Sequence, residues 1–172
     1  MPTYPSSARD AALKLLSLRD LTRQELRERL ARRGFDQAQT DAAVEGLVRS
    51  RSVDDRRLAY NVILSRSRRM RLGRQRLEAE LRRRGVSEED LQAAWDSVGD
   101  GYDASALLRE ARDSLVRSAG PPRDRRGFDR LARQLARKGF PGGDVLAALE
   151  PLRPGAREFE GDRDEDEFHE IS

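Results

Sequence analysis

An all-α fold is predicted for this chain by its composition, its apolar spacing and a motif that recurs three times. Arg, Leu, Ala and Glu dominate the 172 residues while β-branched and aromatic residues are scarce, a balance that favours helices over sheets. Apolar residues return every three or four positions, which places them on one face of a helix. The motif Leu-x-x-[Arg/Lys]-Gly-[Phe/Val] ends at Gly34, Gly85 and Gly139, spaced 51 and 54 residues apart. That period predicts three tandem three-helix repeats stacked into an elongated, curved array. The expected boundaries are a flexible N-terminus over 1–9, repeats over 10–52, 53–101 and 102–153, and a disordered acidic tail over 154–172.

In the first repeat, Asp10 to Asp20 supplies Ala12, Leu13, Leu15, Leu16 and Leu18 for a broad apolar face and reads as the first helix. Thr22 opens the second, with Glu25 three residues on to complete a capping box, and Leu26 and Leu30 facing the core. If Gly34 takes the left-handed position that ends a Schellman motif, Phe35 must fold back toward Leu30. Asp36 then caps a third helix that buries Val44 and Leu47.

Counted from each glycine, Leu26 and Leu30 correspond to Leu77 and Leu81 and then to Leu131 and Leu135. Val44 and Leu47 correspond to Trp95 and Val98 and then to Leu149 and Leu152. Thr22, Gly73 and Gly127 stand at the expected helix starts, all residues tolerated as N-caps. Leading helices are predicted from Val53 to about Met70, the longest, and from Asp103 to about Ala119, while Pro141, Gly142 and Gly143 give the last helix a poor start. A unit this small buries too little surface alone, so the repeats must stack.

Charge is unevenly spread. Residues 158–172 hold eight carboxylates and one arginine, a net −7, which leaves +10 on the rest of a chain whose formal charge is +3. A body so basic suits a polyanion, nucleic acid first. The tail is either a solubilising segment or a mimic of DNA that competes for the arginines. With no cysteine there is neither a disulfide framework nor a thiolate metal site. No signal peptide or membrane-length apolar run is evident, so a cytoplasmic protein with no membrane association is expected.

These residues resemble the RecX family of bacterial regulators of the RecA recombinase. The middle repeat carries most of the likeness, through Asp54, Asp55, Leu58, Ala59, Arg66, Gly73, Leu77, Leu81, Arg82, Arg84, Gly85 and Val86. Ser52, Leu58 and Arg74 depart from it, standing where the family usually has Tyr, Phe and Pro. The resemblance implies a role in the damage response and recombination. It implies binding along the groove of the RecA filament on single-stranded DNA, limiting its growth, ATP hydrolysis, strand exchange and coprotease role, with duplex DNA a weaker partner.

The candidate filament- and nucleic-acid-binding residues are Arg66, Arg68, Arg69, Arg71, Arg74 and Arg76, joined by Arg82 and Arg84. Like charges so close repel one another unless an anion relieves them. The plainer alternative is a solvated face paired locally to Glu78 and Glu80. Arg32, Arg33, Arg137 and Lys138 sit in last turns, where cations complement the helix dipole. Asp54 and Asp55 read as helix caps, Trp95 as core, and His169, the single histidine, lies in the tail. No catalytic set, metal site or phosphate loop can be assembled, so a monomeric, cofactor-free regulator and not an enzyme is expected. The competing reading is a helix-turn-helix-like transcription regulator, which selection from random duplex DNA would reveal as an enriched palindrome.

Overall fold

The computed structural model describes residues 7–154, and the predicted acidic tail and most of the predicted flexible N-terminus lie outside them. The described chain is helical throughout, with no strand. Its α-helices are α1 (Ala8–Leu16), α2 (Arg23–Ala31), α3 (Gln37–Arg49), α4 (Asp55–Met70), α5 (Arg74–Arg83), α6 (Glu88–Val98), α7 (Ala104–Ala119), α8 (Arg125–Arg137) and α9 (Gly142–Leu149). Short 3-10 turns follow α6 and α9. Each consecutive triplet closes on its own core, with its first and third helices packed along one another.

Local chemistry explains most of the helix ends. The Thr22 hydroxyl accepts from the Glu25 amide while the Glu25 carboxylate accepts from the Thr22 amide, and Asp36 and Gln39 repeat the same reciprocal box. Gly34, Gly85 and Gly139 have φ of +88°, +81° and +92°, the region a side chain resists. After the first two, the Phe35 and Val86 amides donate back to the Leu30 and Leu81 carbonyls at 3.4 and 3.1 Å, the predicted Schellman closure.

Four elements differ from expectation. Ser7 caps α1, which starts at Ala8 and ends at Leu16, so Leu18 lies beyond it and is 82% exposed. The buried face is Ala8, Ala11, Ala12 and Leu15; Leu13 points away from it. The middle leading helix is not the longest, because α4 and α7 each have 16 residues. Gly127 is not an N-cap: Asp124 accepts from the Gly127 amide and starts α8 a turn earlier, a carboxylate being the better cap.

The second helices of the three repeats are joined end to end. The α2 start rests on the α5 end, where the Thr22 hydroxyl donates to the Arg84 carbonyl at 2.5 Å. The α5 start rests on the α8 end, where the Gly73 and Gln75 amides donate to the Lys138 and Gly139 carbonyls at 2.8 and 3.3 Å. Each positive N-terminus thus meets a negative C-terminus, and groups that a helix end leaves unpaired satisfy one another. A side chain at Gly73 or Gly139 would run into the backbone across that second joint.

Candidate polyanion-binding surface

The eight predicted arginines occupy three settings. Arg66, Arg74 and Arg82 are paired with acids of their own repeat: Arg66 with Glu80, Arg74 with Glu78 at 2.6 Å, and Arg82 with Glu88 at 2.6 Å and Glu78 at 3.1 Å. This is the local pairing to Glu78 and Glu80 that the sequence left open as the alternative. Arg74 also lies over the buried Trp95 ring, 4.7 Å from its centre, and Tyr102 meets the same indole edge-on. A guanidinium on an aromatic face gains from the ring quadrupole, so Arg74 is tied to the core as well.

Arg84 belongs to the joint between repeats. It is 19% exposed, grips Glu25 at 3.0 Å and donates to the Asp20 carbonyl at 3.2 Å. Burial opposes the Glu25 charge, yet Arg84 and the Thr22 amide outweigh it and hold that carboxyl below the usual carboxylate range. Arg71 ends α4 in a left-handed conformation, φ +51°, with Glu110 of α7 at 3.7 Å. Next to it, burial and then the Arg71 charge push the Lys138 ammonium down from its ordinary value.

The third setting is free cations. Arg68, Arg69 and Arg76 are exposed and have no carboxylate in ion-pair range among the described residues, Arg68 reaching only the Gly101 carbonyl at 3.4 Å. Arg68 and Arg69 close α4, beside Asn61, Leu64 and Ser65 on a shallow surface. Arg76 stands in the first turn of α5, its backbone pressed against Gly139.

Sequence reasoning missed the residues that orient this surface. Asp54 caps α4 as expected, accepting from the Arg57 amide, but Asp55 does not cap. It is 3% exposed and accepts from the Arg23 amide at 2.9 Å and from Arg23 Nε at 3.1 Å, while Arg23 also reaches Asp90. The partners are 32 residues apart, and only the recurring glycines hinted that helix ends approach closely there. Among the described residues no group of three or more His, Asp or Glu is placed to hold a metal ion, and no helix is long and apolar enough to cross a membrane.

Known proteins resemble this chain in sequence and fold. Residues 8–47 match the family model described as RecX, first three-helix domain, and residues 54–94 match RecX, second three-helix domain. The regulatory protein RecX of Halorhodospira halophila is 38% identical over 143 residues, covering 83% of this chain and 86% of that protein. The chain belongs to the RecX family. The RecX of Pelodictyon phaeoclathratiforme is 33% identical over 150 residues, 87% of this chain and 91% of its own length. The crystal structure of RecX from Lactobacillus salivarius superposes with a TM-score of 0.68 at 17% identity, covering 84% of this chain and 94% of that one. The last likeness speaks for the fold. All eight predicted arginines fall inside the second matched RecX domain.

Proposed function

We propose that this RecX-family protein binds the filament that the RecA recombinase forms on single-stranded DNA and restrains it, without catalysing a reaction itself. Membership in a family of regulatory proteins supports a regulatory role. The observation that carries the polyanion side is the exposure of Arg68, Arg69 and Arg76 with no carboxylate to neutralise them, on a repeat where the neighbouring Arg66, Arg71, Arg74, Arg82 and Arg84 are paired. Those three contact the filament; Arg66, Arg71, Arg74 and Arg82 hold the surface in shape and add long-range charge. Arg84 acts through the joint, by fixing the angle between the first and second repeats.

The deciding experiment follows ATP hydrolysis by a preformed filament of the cognate recombinase. Substoichiometric amounts of the protein slow it, and the inhibition weakens as salt rises. Replacing Arg68, Arg69 and Arg76 with Glu abolishes inhibition with little change in melting temperature. Unchanged hydrolysis and unchanged strand exchange at low salt would overturn the proposal.

A further inference from the structure

The helix that carries the densest unpaired positive charge is not in the middle repeat. Arg126, Arg130, Arg133 and Arg137 of α8 are all exposed. At about 100° per residue their spacing of i, i+4, i+7 and i+11 sets them within about 60° of one another around the axis. The buried Phe128, Leu131 and Leu135 lie on the opposite side. None of the four has a carboxylate in ion-pair range among the described residues, and Asp129, the only acid within α8, makes no pair with Arg133 one turn on.

Two bland explanations fail. A cation in the last turn complements the helix dipole, which accounts for Arg137, but Arg126 is in the first turn, where the dipole opposes it. Nor is the stripe a property of the repeat. Counted back from the glycines, the same positions are Leu72, before α5, then Arg76, Ala79 and Arg83 within it, and in the first repeat Leu21, Glu25, Glu28 and Arg32, of which only Glu25 and Glu28 lie within α2. Charge accumulates along the array and is greatest on α8, where successive arginines three and four apart repel each other in the free protein.

We propose that this face of α8 is a binding site for the phosphate backbone of nucleic acid, distinct from the arginines of the middle repeat. The stripe is about 16.5 Å long at 1.5 Å per residue. Over that length a nucleic-acid strand presents several phosphates, and each arginine can meet one. The inference deepens the filament reading by naming a surface of the third repeat that meets the DNA itself, and it stands without the recombinase.

The test is fluorescence anisotropy of the full chain with labelled oligo-dT and with a labelled duplex, recombinase absent, from 50 to 200 mM salt. Four phosphate contacts give a log–log slope of about −2.8 for the single strand and about −3.6 for the duplex. Affinity then falls about 50-fold and about 150-fold over that range. Changing all four arginines to Gln removes the salt-dependent binding and leaves the melting temperature equal or higher, since repulsion is relieved; changing all four to Lys retains binding. Retention of the full slope by the Gln variant overturns the proposal, as does its loss through Arg68, Arg69 and Arg76→Gln alone. Absence of wild-type binding to either DNA also overturns it, even if filament hydrolysis is still slowed, for the stripe would then face an acidic protein surface or solvent. DNA binding that vanishes in the Gln variant, with filament hydrolysis untouched by the wild type, upholds the α8 site and sinks the filament reading.

Discussion

At the joint between the first and second repeats, Thr22, Arg23 and Glu25 meet Arg84, Asp55 and Asp90 through their side chains. At the joint between the second and third, Gly73 and Gln75 meet Lys138 and Gly139 through bare backbone. Both joints place a helix N-terminus on a helix C-terminus, so the dipole attraction is common to them. What differs is how the remaining groups are satisfied. The first joint uses a buried carboxylate and a guanidinium, and the second brings the chains so close that side chains would have no room. One architecture is thereby kept by two chemistries with different sensitivities to mutation and to pH.

The largest expected effect breaks the second joint. Gly34, Gly85 and Gly139 share a positive φ, so alanine at any of them carries backbone strain of about 1–3 kcal/mol. An added Cβ at Gly34 meets nothing within 4 Å, at Gly85 it meets the movable Gln24 side chain, and at Gly139 it meets the backbone of Arg76. Gly139→Ala should therefore cost at least about 3 kcal/mol in urea unfolding, Gly34→Ala only the strain, with Gly85→Ala between. Equal losses at Gly34 and Gly139 would mean that the close approach contributes nothing.

Next in size is the buried carboxylate of the first joint. Asp55→Ala leaves the Arg23 amide without its acceptor and the Arg23 guanidinium with Asp90 alone. Hydrogen bonds to a charged group predict a loss of about 2–3 kcal/mol, and Asp55→Asn, which keeps one oxygen for the amide, should lose less. At the matching position of α7 stands Ala104, so the second joint has no such acid to remove. If Asp55→Ala proves neutral, the attraction of the helix ends suffices without it.

The difference between the joints also explains what could be read from the sequence. Capping boxes, glycine ends and core leucines are set by residues within a turn or two, which is why Thr22, Gly34, Leu81 and Trp95 stand where spacing puts them. Gly127 misled because Asp124, three residues before it, caps better. The fate of the arginines was not legible in the same way. Whether a cation is neutralised depends on acids up to 67 residues away, as Arg23 and Asp90 demonstrate. Composition marked the middle repeat as the basic one, while pairing left α8 with the less neutralised face.

The smallest expected effect is a response to pH that has the same sign at the two joints, stability rising with pH, but falls in separate ranges, acid for the first and alkaline for the second. The Glu25 carboxyl is held below its ordinary value of 4.5, so its contribution is whole above that pH and disappears as pH falls through the lower, folded value. In the second joint the partner groups are carbonyls, and the one shifted cation, Lys138, is pushed below its ordinary 10.5 by burial and by Arg71. Its folded state disfavours the charge, so stability there rises as pH climbs from the depressed value toward 10.5. Glu25 is 17% exposed and partly screened, which limits the effect to roughly 1 kcal/mol or less. In chemical unfolding as pH is lowered from 7 to 3 (roughly the carboxylate range), Glu25→Gln should lose less stability than the wild type. Lys138→Met should leave that acid limb unchanged and flatten only the alkaline one; a common response of both variants would show that the two joints titrate as one.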